Sequence, residues 1–181
     1  MPTFILHGGR TTLANSSNKA FYTLMAQAVP AGGIWLGCYF ASLAEKEAAK
    51  FAADTRKLKR AAKHKFKTVM ADAANFPEQV KTADVIYFAG GSTRGLMNQT
   101  RQWPQLKSWL QNAKVVAGSS AGMNLLGEKF LTKDAPHHGQ GLGLIPFNML
   151  VHHKAPEYAH IPAPAAPCIA LHETQFCVIE M

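Results

Sequence analysis

The order of apolar and polar positions divides the chain into short hydrophobic runs and longer stretches of helical periodicity. Thr3–Leu6 has the pattern of a short buried strand and runs into His7-Gly8-Gly9-Arg10. A helix is predicted over about Asn18–Val29, with Ser16 or Ser17 as its N-cap, before Pro30-Ala31-Gly32-Gly33 breaks the chain. Ile34–Phe40 is a second strand. Ser42 can cap a long helix over about Leu43–Lys63, rich in Ala, Glu and Lys, which favour helix. Lys67–Ala71 is a third strand, Phe76–Lys81 a helical turn or short helix, and Val85–Phe88 a fourth strand. Gly90-Gly91-Ser92-Thr93 opens another helix, Trp103–Gln111 is helical, and Val115–Ala117 is a fifth strand. Strands alternating with helices predict an α/β fold: a mostly parallel sheet flanked by helices on both faces.

The last 40 or so residues read differently. Pro146, Pro156, Pro162, Pro164 and Pro167 punctuate them, and Pro162–Pro167 cannot be a regular helix or a central strand. Phe147–Val151, Ile169–Leu171 and Phe176–Ile179 read as strands, whose place in the sheet the pattern leaves open.

Length and composition narrow the class. At 181 residues, with 48% hydrophobic and 17% charged, the chain is expected to form a single domain over 1–181 with a substantial core, and is not a disordered protein. The strongest apolar run, Ile34–Ala41, is far short of the roughly 20 residues needed to cross a bilayer, so no membrane association is expected. Residues 1–7 have no basic region or long apolar stretch of a signal peptide. Three cysteines (Cys38, Cys168 and Cys177) fit neither a disulfide framework nor a four-cysteine zinc site, and the expected location is cytoplasmic.

The net charge of +8 invites a nucleic-acid reading, but seven of the Lys and Arg fall within residues 56–67. Without that stripe, 12 bases face 11 acids. The stripe is read as a solvated helix face followed by a basic turn, with an anion-binding patch as the alternative, and nucleic acid is disfavoured as a partner.

The chemistry concentrates in Val115-Val116-Ala117-Gly118-Ser119-Ser120-Ala121-Gly122, an apolar strand running into Gly-x-Ser-x-Gly with a helical pattern after it. This is the context of a nucleophile elbow: a turn so sharp that its flanks must be small, which lifts the serine above the strand ends. In this frame Ser120 is the nucleophile and Ser119 a spacer. Gly90-Gly91 ends a second strand and lacks the Lys of a phosphate-binding loop. Beside a serine elbow it has a use: the N–H of Gly91 can join that of Ala121 in an oxyanion hole. Eight histidines offer candidate bases. His152 and His153 end a predicted strand, His137 and His138 lie in a Gly/Pro-rich loop, and His7 and His172 lie near apolar runs. Adjacent strand histidines point to opposite faces, and no His-Glu-x-x-His pattern occurs, so no metal is expected.

Several segments, in order, resemble the dipeptidase E and cyanophycinase family of serine peptidases. Ala83–Thr93 is similar to the family strand ending in Gly-Gly-Asn/Asp-Thr, and Gly118-Ser119-Ser120-Ala121-Gly122 to its elbow. Leu142–Phe147 followed by His152 is similar to the segment leading to its catalytic His, with Val151 where many members have Pro. Leu171-His172-Glu173 resembles its Leu-Pro-Glu, with His for Pro, and Leu6-His7-Gly8-Gly9 fits some members.

The resemblance implies a class I glutamine amidotransferase-like fold and a serine peptidase of dipeptidase E type. It makes Ser120 the nucleophile and His152 its base. Asp134, in Thr132–Pro136, is the best match for the third member of the triad, with Glu157 and Glu173 as alternatives. Serine rather than cysteine at the elbow argues against glutaminase chemistry. The implied partner is a short peptide substrate, no cofactor is implied, and a homodimer is compatible with the chain. A cyanophycinase-like or other amide hydrolase, or a non-catalytic anion-binding module on the same fold, are the competing readings. Aspartate-preferring relatives carry an Arg-containing segment after the catalytic His. Here all five arginines (Arg10, Arg56, Arg60, Arg94 and Arg101) precede His152. The expectation is that strict Asp-X activity is absent or that Arg10 or Arg94 supplies the charge. Glu173 is also a candidate for substrate binding.

Overall fold

The computed structural model describes residues 2–132, 135–153 and 167–181. Two sheets form. The larger has six strands: β1 (Thr3–His7), β2 (Ile34–Cys38), β3 (Lys67–Met70), β4 (Val85–Phe88), β5 (Val115–Ser119) and β10 (Phe176–Glu180), in the order β10-β1-β5-β4-β2-β3. All pairings are parallel except β1 with β10.

The central strands bury both faces, and their period of two sorts the side chains into two cores. Ile5, Trp35, Val85, Tyr87 and Ala117 face one core, while Phe4, Leu6, Leu36, Ile86, Phe88 and Val116 face the other. The first core is covered by α1 (Ser16–Ala28), through Phe21, Tyr22, Met25 and Ala26, and by α2 (Ala44–Ala61), which buries only Asp54 and Leu58. The second core is covered by α3 (Phe76–Thr82), α4 (Thr93–Thr100), α5 (Leu106–Gln111), α6 (Ala121–Leu126) and the smaller sheet.

The helix starts differ in detail from expectation. Asn15, not Ser16 or Ser17, caps α1, its side chain accepting the N–H of Asn18. Ser42 does not cap α2; its hydroxyl instead accepts a proton of Lys50. The α2 dipole is complemented by Glu45 and Glu47 in the first turn and Lys59 and Arg60 in the last.

The smaller sheet contains β6 (Lys129–Thr132), β7 (Ala135–Gln140), β8 (Asn148–Leu150) and β9 (Cys168–Ala170), in the order β7-β6-β8-β9. Its residues Phe130 and Met149, with Val151 and Leu171 directly after β8 and β9, pack into the second core beside Leu144 and Ile145. The backbone of His137 and His138 therefore lies in a strand, not in the loop expected for it. The turns after β8 and β9 meet the chain just beyond β1 through the N–H groups of His152 and Thr174 on Gly8 O and Gly9 O, and β10 then pairs with β1 at the edge of the large sheet. No helix among the described residues is long and apolar enough to cross a membrane.

Candidate active site

β5 lies between β1 and β4, so the turn at its carboxyl end opens into a cleft framed by both neighbours. Ser120 occupies that turn at φ 50, ψ −108, a backbone conformation that side-chain-bearing residues rarely adopt. Its N–H donates to His7 O (2.9 Å), and its carbonyl accepts the N–H of Asn124 in α6 (3.0 Å). The turn tolerates no bulk. A methyl group on Gly122 would lie 2.0 Å from Phe88 O, and one on Gly118 would lie 2.6 Å from Gly122 C. Ser119 is buried in the cleft wall beside Ser120, and both line the cleft.

The imidazole comes from the smaller sheet. β8 ends at Leu150, and His152 sits in the turn beyond it at φ 53, anchored by its N–H on Gly8 O (3.0 Å). Its Nε2 is 3.0 Å from Ser120 Oγ, and its Nδ1 is 2.9 Å from Glu173 Oε1. A carboxylate accepts, so Nδ1 carries the proton and Nε2 accepts from the serine hydroxyl. Glu173 lies in the turn between β9 and β10. The next residue, Thr174, at φ 67, donates its N–H to Gly9 O (3.0 Å). Arg10 Nε is 2.9 Å from the same Glu173 oxygen.

Of the three acids singled out from sequence, Asp134 and Glu157 lie outside the described residues, as does Lys154. Glu173 is the carboxylate that the described structure brings to the imidazole. His153 does not follow strand alternation, because the strand has already ended; its ring meets that of His172 edge-on, with centroids 5.2 Å apart. Arg94 is exposed on α4 and does not line the cleft, whereas Arg10 sits on its rim.

A cavity of about 340 Å³ opens from Ser120 toward α2, with Gly90, Gly91, Tyr39, Lys50 and Asp54 in its wall. The Gly90–Ser92 turn is held by a hydrogen bond from Ser92 N–H to Ala41 O (2.7 Å). Ala121, the other residue assigned to the oxyanion hole, opens α6 directly after Ser120.

Asp54 is buried and accepts from Tyr22 OH (2.5 Å) and Tyr39 OH (2.9 Å), with Lys57 Nζ at 3.4 Å. Burial pushes both phenols well above their ordinary pKa, so they remain donors. Lys50 Nζ donates to Ser42 Oγ (2.7 Å) and Gly90 O (3.2 Å), and its pKa is lowered by burial.

The sequence does not single out Lys50 or Asp54, because on this helix only the basic stripe of residues 56–67 stands out. The available signal was their i, i+4 spacing, which places them on one side of the helix. Among the described residues, no group of three His, Cys, Asp or Glu gathers as a metal cage.

Fold and site together define a class: an α/β enzyme that presents a serine on a strand-to-helix elbow to an imidazole and a carboxylate. The chain belongs to peptidase family S51, whose sequence profile matches residues 40–178, and it is a serine peptidase. Among solved structures it is similar to a peptidase from an acI-B1 Actinobacterium, with a TM-score of 0.74 and 20% identity over 99% of this chain and 83% of that one. It is also similar to a candidate peptidase E protein from Listeria monocytogenes EGD-e, with a TM-score of 0.65 and 15% identity over 89% of this chain and 84% of that one. At these identities the likeness concerns the fold. No curated protein sequence matches the chain.

Proposed function

We propose that this peptidase cleaves short peptides through an acyl-enzyme on Ser120, with His152 as general base and Glu173 as its orienting carboxylate. The observation that carries this reading is the unbroken line from Ser120 Oγ through His152 Nε2 and Nδ1 to Glu173 Oε1, with steps of 3.0 and 2.9 Å. Nε2 takes the hydroxyl proton as Oγ attacks the scissile carbonyl carbon. The N–H groups of Gly91 and Ala121 stabilise the oxyanion, and the imidazolium protonates the leaving amine. Water, deprotonated by the same Nε2, then hydrolyses the ester. Glu173 takes the role that the family resemblance gave to Asp134: it holds the tautomer and stabilises the imidazolium.

The cavity of about 340 Å³ is at the small end of ligand sites, which suits a substrate of one or two residues on that side of the scissile bond. Its cations are Lys50 and Arg10, and Arg10 is already engaged by Glu173. Lys50 has a third proton beyond those given to Ser42 and Gly90, and in this reading it takes the carboxylate-binding role assigned above to Arg10 or Arg94.

Fluorophosphonate labelling combined with hydrolysis of a dipeptide and tripeptide panel tests the assignment. Ser120→Ala abolishes labelling and lowers kcat by roughly 10³–10⁶, as does His152→Ala, while Glu173→Gln costs roughly 10²–10⁴. Labelling that persists in Ser120→Ala, or near-wild-type turnover in either partner variant, refutes it.

A further inference from the structure

The segment at the end of β1 does more than frame the cleft. Its successive carbonyls each hold one element of the site. His7 O accepts the N–H of Ser120 (2.9 Å), Gly8 O that of His152 (3.0 Å), and Gly9 O that of Thr174, next to Glu173 (3.0 Å). Arg10, the next residue, reaches Glu173 with its side chain. Four of the strained backbone positions (Arg10, Ser120, His152 and Thr174) meet at this junction. Three segments distant in sequence thus take their relative positions from one tripeptide.

That tripeptide is itself held by a side chain the reaction does not use. His7 is fully buried, its ring centroid 4.6 Å from that of Phe21. Its Nδ1 accepts the N–H of Gly9 (3.0 Å), and its Nε2 meets Asn18 Oδ1 (2.8 Å). The Asn18 amide cannot be reversed, because its Nδ2 donates to Arg10 O (2.9 Å) and Leu13 O (2.7 Å). Oδ1 must therefore accept, Nε2 must carry the hydrogen, and Nδ1 must be bare. Only the neutral Nε2–H form satisfies both neighbours; a proton on Nδ1 would face the Gly9 N–H.

We propose that His7, fixed as the Nε2–H imidazole between Asn18 and Gly9, is a positioning residue that sets Ser120, His152 and Glu173 in register through the backbone of residues 7–9. The surroundings favour that form. Burial depresses the His7 pKa to about 4 against partial support from the Asn18 hydrogen bond, and the cationic forms of His152 and Lys57 oppose its protonation further. The inference rests on the catalytic reading of Ser120, His152 and Glu173.

The test compares His7→Phe, which keeps a ring against Phe21 and loses both hydrogen bonds, with His7→Asn, whose side-chain oxygen can still accept the Gly9 N–H. In His7→Phe, kcat falls about 10–10²-fold, the scale of a misplacement near 1 Å, while KM changes little and the acid limb of the kcat/KM profile moves. His7→Asn recovers part of kcat. A folded His7→Phe protein with wild-type kcat and an unmoved acid limb overturns the proposal.

Should His7→Phe not fold, ¹⁵N spectra of wild-type histidines decide. An unprotonated Nδ1 on His7 from pH 5 to 8 supports the proposal, and an Nδ1–H tautomer or titration near the ordinary value overturns it. Ser120→Ala, run alongside, separates the two failures. If it stays active, the catalytic reading is wrong. If it is dead while His7→Phe is normal, the positioning role alone is wrong.

Discussion

Gly9→Ala is the most informative single methyl that can be added to this protein. Gly9 has φ 132, and a Cβ there would lie 2.2 Å from His152 Cε1, 2.6 Å from its Nε2 and 2.8 Å from its Nδ1. Carbon atoms in contact sit about 3.5 Å apart, so roughly 1.3 Å must be found. The loop is poorly placed to give it: Gly9 N–H is bound to His7 Nδ1 and Gly9 O to Thr174 N–H. The imidazole therefore moves, and its contact with Ser120 Oγ, now 3.0 Å, is lost. A displacement of that size costs about 10²-fold in rate, and losing the base outright costs more. The expected fall in kcat/KM is therefore about 10²–10⁴-fold, with fluorophosphonate labelling slowed in parallel. The strained φ costs about 1–3 kcal/mol of stability, a drop in Tm of about 2–12 °C, which leaves a folded protein to assay. A folded Gly9→Ala enzyme with wild-type kcat/KM would refute the argument that this loop and the His152 ring are in close contact.

Three further outcomes follow from the same geometry. Ser119→Ala leaves turnover close to wild type, because Ser119, although buried in the cleft wall, is not the hydroxyl that meets the base: Ser120 Oγ is, at 3.0 Å from His152 Nε2; a loss comparable to that of Ser120→Ala in the same assay contradicts the elbow frame. Lys50→Met raises KM about 10–10²-fold for peptides with an acidic residue before the scissile bond, the value of a charged hydrogen bond, and leaves Ala-X and Leu-X peptides unaffected; equal effects on all three series contradict the assignment of Lys50. Stability falls in acid through His7: the unfolded imidazole binds a proton near 6.5 and the folded one near 4, so unfolding takes up a proton between those values and the fold loses stability as pH drops through them. About 3 kcal/mol is lost between pH 7.5 and 4, and urea melts of His7→Phe at those two pH values should lack that increment.

Much of this was legible in the sequence. The large sheet was readable because its strands are short, apolar and separated by helical periodicity, and the elbow was readable because Gly118 and Gly122 leave the turn no other chemistry. His152 could be ranked first among eight histidines only through the family resemblance, since strand ends alone did not distinguish it from His153. The antiparallel pairing of β6 with β7 was missed: Lys129–Gln140 is rich in polar residues, with Pro136 and Gly139 inside it, and only Phe130 of the pair gives a local sign of burial in the second core. The choice of Glu173 over Asp134 could not be made from local pattern. The carboxylate reaches the imidazole because β9 and β10 belong to different sheets, and the turn between them has to pass over the end of β1. Lys50 and Asp54 were hidden in a helix whose average character is that of a solvent-facing one.

The pairing of β1 with β10 also bears on when the enzyme becomes active during its own synthesis. The strand that carries the tripeptide scaffold is made first, and the strand that seals its outer edge is made more than 160 residues later. Between them, Ser120 emerges before His152, and His152 before Glu173. While the ribosome still covers His152, the nascent chain presents Ser120 without the imidazole proposed as its base. On the proposed mechanism, the nascent chain therefore gains its base and then its carboxylate only after the elbow has emerged, and the outer edge of β1 is closed only when β10 follows them.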